Sequence, residues 1–129
     1  MTSSPQGRGP LVLIVDDSER NRRLARDVLG AAGFRTLEAT CGAEALAMAD
    51  EHLPDVILMD LRLPDMDGVA VARDLGTRER TTAIPVVALS SIPLGGSNGP
   101  LAHVFAGCLE KPFSIRAFPA QVRRFCADG

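Results

Sequence analysis

Three short runs, residues 11–15, 55–59 and 85–89, are apolar almost throughout, and each is followed by a polar group. A strand with one wet face alternates apolar and polar side chains, because successive residues point to opposite sides of the sheet. These runs do not alternate, so they read as strands buried on both faces, the mark of a parallel sheet. Helical spacing fills the intervals. After the first run Ser18 offers an N-cap, and Leu24, Ala25, Val28, Leu29 and Ala32 recur as one helix face until Gly33 stops it. Residues 34–39 predict a second strand, and 42–51 a short helix carrying Ala43, Leu46 and Ala47, ended by Leu53-Pro54. A loop with Pro64 and Gly68 leads to a helix over 69–75. Cys108 and Leu109 form a last short strand before Glu110-Lys111-Pro112, and 115–125 is the final helical stretch.

Strands alternating with helices join through right-handed crossovers, which places helices on both faces of the sheet. Five such units in 129 residues predict an α/β, doubly wound, five-stranded parallel sheet of flavodoxin-like type, order 2-1-3-4-5. The expected organisation is a polar, Gly/Pro/Ser-rich disordered lead-in over 1–9 and one domain over 10–129. A net charge of −2 offers no electrostatic footprint for nucleic acid. No apolar run approaches the roughly 20 residues of a membrane span, and the N-terminus lacks the apolar stretch of a signal peptide. Cys41, Cys108 and Cys126 are odd in number and far apart, which predicts free thiols, two of them buried, in a reducing cytoplasm. His52 and His103 have no ligand-like spacing and read as surface residues.

In an open parallel sheet, ligands bind beyond the carboxyl ends of the strands, where the strand order reverses. The polar residues fall at those ends: Asp16 and Asp17, then Asp60, Ser90 and Lys111. Three carboxylates would share one crevice, and such a cluster calls for a cation. An open, all-oxygen site suits Mg²⁺, with Mn²⁺ the alternative. Lys111 and Ser90 complete an anion-binding set, so a carboxylate among them is equipped to accept a phosphoryl group. Lys111 is the sole lysine among fourteen basic residues, a compact point charge in a chain that otherwise uses arginine.

Taken together, Asp16-Asp17, the 60–68 stretch DLRLPDMDG, VVALSS over 86–91 and Glu110-Lys111-Pro112-Phe113 resemble the two-component response-regulator receiver domain over about residues 11–126. The resemblance implies that Asp60 is the phosphoacceptor, taking its group from a phosphohistidine on a sensor histidine kinase or a histidine phosphotransfer protein. It further implies that Asp17, Asp60 and the backbone carbonyl of Arg62 ligate Mg²⁺, with Asp16 acting mostly through water. Ser90, followed by Ser91, supplies the switch hydroxyl, and Lys111 pairs with a phosphate oxygen. Pro112 follows Lys111 through a peptide that is typically cis in the family, while Pro64 and Gly68 shape the loop after Asp60. The implied protein is a cytoplasmic signalling switch with protein–protein output, and not an enzyme beyond slow autodephosphorylation. Two alternatives stay open: a pseudo-receiver that binds without phosphorylation, and a receiver that is part of a larger regulator or hybrid kinase.

Departures from the family pattern bear on output. Cys108 stands where the family often has Tyr or Phe, which removes the aromatic partner of the switch hydroxyl. Three glycines and two prolines over 92–100 occupy the usual start of the fourth helix. At about 1 kcal/mol per Gly and 3 per Pro, this stretch predicts a loop, with at most a short helix over 101–105. Pro119 predicts either a kink in the last helix or a late start to it. Arg20, Arg22, Arg23 and Arg26 on the first helix read first as a solvated face beside Glu19 and Asp27, and second as a docking surface for an acidic partner.

Overall fold

The computed structural model describes residues 9–61, 63, 65, 67–90, 105–110 and 116–127, and for Ser90, Cys108, Glu110 and Ala127 only the backbone. Residues 1–8 of the lead-in, Arg62, Pro64, Met66, the 91–104 segment with Ser91, His103 and most of the short helix expected over 101–105, and Lys111-Pro112-Phe113 lie outside the described residues. The elements run β1 (Leu11–Val15), α1 (Glu19–Ala31), β2 (Arg35–Ala39), α2 (Gly42–His52), β3 (Val56–Asp60), α3 (Gly68–Thr77), β4 (Val86–Ser90), β5 (Gly107–Glu110) and α4 (Phe118–Ala127). The sheet has the order β2-β1-β3-β4-β5. Every pairing in it is parallel. The fold expected from the apolar runs is the fold observed.

Alternation along the strands divides the core in two. Leu13, Val15, Ile57, Met59 and Ala88 face Ala45 and Ala49 of α2 and Val71, Ala72 and Leu75 of α3. Val12, Ile14, Leu58, Val87 and Leu89 face Ala25 and Leu29 of α1 and Phe118 and Val122 of α4. Residues of β1 and β3 serve both layers and are almost wholly removed from water, which is why these sequences show no polar alternation. Each large aliphatic side chain so placed contributes roughly 1.5–3 kcal/mol relative to exposure.

Element ends show where sequence signals hold. Ser18 Oγ accepts the Asn21 N–H at 3.3 Å and caps α1. Gly33, at φ +96°, turns the chain out of α1, and the Phe34 N–H closes the turn on the Leu29 carbonyl at 3.0 Å. The second strand starts one residue later than expected, because the Phe34 N–H is spent on the Leu29 carbonyl; the Phe34 side chain is buried, with Arg123 4.8 Å over its ring. Pro119 does not kink the last helix. The helix begins at Phe118, with Pro119 in its first turn, where a missing N–H costs little; the late start, not the kink, is the outcome.

Leu53 ends α2 at φ 48°, a left-handed conformation that costs an L-residue roughly 1–2 kcal/mol. Leu53 is 44% exposed, so burial of its side chain offsets that strain only in part. Leu53→Gly relieves the strain but adds unfolded-state freedom of about 0.5–1 kcal/mol. The expected net gain is about 0.5 kcal/mol, read as a melting temperature higher by a few degrees in a calorimetric scan; an unchanged or lower value would refute it.

Candidate metal centre

Strand register builds the site. Val15 pairs with Met59, so the residues that follow, Asp16 and Asp60, emerge side by side at the carboxyl edge of the sheet. Asp16 and Asp60 are buried, at 1% and 8% exposure, whereas Asp17 faces solvent. One carboxylate oxygen from each of the three lies within 4.8 Å of the others. Charges at that separation repel by on the order of 3 kcal/mol per pair at an effective dielectric of about 20, less at the exposed Asp17 where solvent screens them. Hard, anionic oxygen donors converging on one point match the needs of a small divalent cation and of no soft metal.

Asp16 is fixed on every side. Its carboxylate accepts the Ser18 N–H at 2.9 Å and the Asn21 side-chain amide at 3.3 Å. Its own N–H donates to the Ala39 carbonyl at 3.1 Å, and its carbonyl accepts Arg22 Nη1 at 2.8 Å. The same guanidinium donates through Nε to Glu38 on β2 at 3.2 Å, and Arg26 meets the other Glu38 oxygen at 3.2 Å. Of the four α1 arginines, Arg22 is therefore turned inward, with its side chain only 13% exposed. Arg23 pairs with Glu19 across one helical turn at 3.6 Å in full solvent, a contact worth a few tenths of a kcal/mol.

The loop after β3 is held from two directions. Gly68 donates its N–H to the Leu61 carbonyl at 3.1 Å. Asp67 caps α3 by accepting the Val69 N–H at 2.9 Å. Asp65 reaches the other way, its carboxylate accepting the Gly42 N–H at 2.8 Å and the Ala43 N–H at 3.1 Å at the start of α2. Cys41, the N-cap residue of α2, makes no side-chain cap. Beside it Glu44 accepts both the backbone N–H and the hydroxyl of Thr40, at 2.6 and 2.9 Å. These two bonds, the backbone one first, hold the Glu44 carboxyl below its usual range.

Sequence reasoning named Asp16, Asp17 and Asp60, and the fold brings these three together. It missed Asn21 and Arg22, which bond Asp16 from the first turn of α1, and Asp65, which accepts α2 amides more than twenty residues away. Ser90 is the last residue of β4 and Cys108 pairs with Ala88 across β4 and β5. His52 is exposed as expected. The two described thiols, Cys41 and Cys126, are each half-buried instead of buried. Burial first, then the charge of Asp55, pushes the Cys126 thiol up to about 11, with Arg123 acting in the opposite sense. The folded form thus holds its proton more tightly than the unfolded chain. Any stability from this group is present below the ordinary thiol range and is lost as pH rises from about 9 towards 11. At pH 8, iodoacetamide is expected to alkylate Cys126 in the folded protein at least about tenfold more slowly than in urea, measured by peptide mapping; equal rates would contradict this.

The model of the response regulator receiver domain matches residues 12–123. The polar-differentiation response regulator DivK of Brucella ovis is 36% identical over 120 residues, covering 91% of this chain and 96% of that protein. Among solved structures, the chemotaxis response regulator CheY4 of Vibrio cholerae is 28% identical with a TM-score of 0.82, covering 91% of this chain and 98% of that one. The receiver domain of the sensor histidine kinase PA1611 from Pseudomonas aeruginosa PAO1, which has a magnesium ion coordinated in its active-site cleft, is 28% identical with a TM-score of 0.83, covering 92% and 98%. Sheet order, the acidic cluster at the strand ends and sequence similarity along nearly the whole chain agree: the chain belongs to the response regulator receiver domain family.

Proposed function

We propose that the chain is a phosphorylation switch in which Asp60 accepts a phosphoryl group from a phosphohistidine on a sensor histidine kinase or histidine phosphotransfer protein. The observation that carries this reading is the convergence of Asp16, Asp17 and Asp60 within 4.8 Å, with Asp60 at the end of a central strand. In the transfer, a carboxylate oxygen of Asp60 bonds to phosphorus. The phosphorus–nitrogen bond breaks, and its electron pair leaves on the imidazole nitrogen of the donor. The product is an acyl phosphate on Asp60.

Mg²⁺ fits the three carboxylates; Asp17, Asp60 and the Arg62 carbonyl would hold it, with Asp16 acting through water. Both carboxylate oxygens of Asp16 already accept protein hydrogen bonds, which supports the indirect role. When bound, the ion neutralises charge on the phosphoryl oxygens. The similarity to the magnesium-bound PA1611 receiver domain supports the same ion here. Ser90 and Lys111 are the hydroxyl and ammonium assigned to the phosphoryl oxygens, and Ser91, Cys108 and Pro112 are assigned as accompanying switch positions. Pro64 and Gly68 shape the loop after Asp60. Residues 10–129 form the receiver unit. Its output is a protein–protein contact in the cytoplasm, and its own chemistry goes no further than accepting the group and slowly losing it to water.

Phosphoramidate, a small donor with a phosphorus–nitrogen bond, tests the reading. In Mg²⁺ it is expected to add roughly 80 Da to the intact mass, and chelation of the ion is expected to abolish the addition. Equal modification with and without the ion would remove the metal from the proposal.

A further inference from the structure

Asp65 is not one of the three acids that converge at the strand ends. It bridges the loop that leaves Asp60 to the start of α2, accepting the first two amide groups of that helix. α2 has no side-chain cap from Cys41, so among the described residues these amides are satisfied by a group more than twenty positions away. The bridge therefore has two ends. One end caps a helix; the other fixes the loop between Asp60 and Gly68. Gly68 is in turn seated on the Asp60–Leu61 backbone through its bond to the Leu61 carbonyl.

We propose that Asp65 is a positioning residue for the acidic centre: its bond to α2 sets the path of the loop after Asp60, and so the metal affinity and acceptor reactivity of the site. This rests on the reading of Asp60 as acceptor and deepens it. The capping end and the loop end make different demands. Capping can be supplied locally, by a side chain at position 41, whereas loop placement needs a group on the loop itself.

The test uses that difference. In the full chain, Asp65→Ala is expected to weaken Mg²⁺ binding by calorimetry, and to slow phosphorylation by acetyl phosphate, about tenfold or more, the range seen when supporting groups around metal ligands are removed. The melting temperature should fall as well. Asp65→Asn keeps one acceptor oxygen but sets an amide NH2 against the second helix N–H, so it should recover only part of both properties. Cys41→Asp added to Asp65→Ala supplies a local cap, and should restore the melting temperature while Mg²⁺ affinity and phosphorylation rate stay low. If the double variant recovers all three, Asp65 is a helix cap only and the proposal is overturned. Wild-type Mg²⁺ affinity in Asp65→Ala would overturn it too. A wild-type chain that binds Mg²⁺ but takes no phosphoryl group would refute the acceptor reading instead, and the Mg²⁺ titrations would still decide the role of Asp65.

Discussion

Asp60→Asn is expected to abolish the phosphoryl adduct completely and, without divalent cation, to raise the melting temperature. Both effects come from one carboxylate. Removing the nucleophilic oxygen leaves a carboxamide that cannot form a stable acyl phosphate. Removing its charge relieves repulsion within a cluster whose oxygens lie within 4.8 Å of one another. At on the order of 3 kcal/mol per pair before screening, even a heavily discounted repulsion leaves a gain of about 1 kcal/mol. The variant should also lose most of the stabilisation that Mg²⁺ gives the wild type, since that stabilisation vanishes once the dissociation constant exceeds the ion concentration. Scans with and without Mg²⁺ read both. A variant that melts below the wild type in chelator would contradict the account of the cluster as electrostatically strained.

Gly68→Ala is expected to damage the protein strongly for so small a substitution. A Cβ at position 68 would collide with the Asp60 carbonyl oxygen and sit 2.8 Å from the Leu61 Cα. Both are backbone atoms of the segment that carries the acceptor, so no side chain can swing aside to make room. Overpacking of this kind costs about 1–3 kcal/mol, and relief requires the acceptor strand end to move. Stability and phosphorylation rate should therefore fall together, the melting temperature by roughly 5–10 °C. Gly76→Ala is the control. Gly76 lies in the same helix with nothing within 4 Å of an added Cβ, and the change should stabilise by up to about 1 kcal/mol. If Gly68→Ala melts and reacts like the wild type, Gly68 is not seated against Asp60 as described.

The carboxyl-end acids were legible because they obey a local rule. An apolar run that ends abruptly in Asp16-Asp17 or Asp60 marks a buried strand leaving the sheet, and the reversal of strand order then places those ends together. Helix starts were legible where the cap is local, as at Ser18. Signals failed where a bond crosses the chain. Asp65 caps a helix that begins 23 residues earlier, and nothing in the spacing of acids within the 60–68 stretch separates it from Asp67, which caps its own helix. Arg22 looked like its exposed neighbours on α1, yet it is bound to the Asp16 carbonyl and to Glu38 on β2. The left-handed turn at Leu53 was hidden for a related reason: its residue type argues against the conformation that the helix end imposes.

The central claim, that Asp60 in the acidic cluster is the phosphoacceptor, is tested most directly by locating the phosphoryl group. The wild-type chain is incubated with acetyl phosphate and Mg²⁺, and the adduct is reduced with borohydride, which converts an aspartyl phosphate to homoserine. The digest is then sequenced by tandem mass spectrometry. The account predicts homoserine at position 60 alone, and none in Asp60→Asn. An adduct at any other residue, or no adduct while calorimetry shows Mg²⁺ bound, would contradict it and leave a binding module that works without phosphorylation.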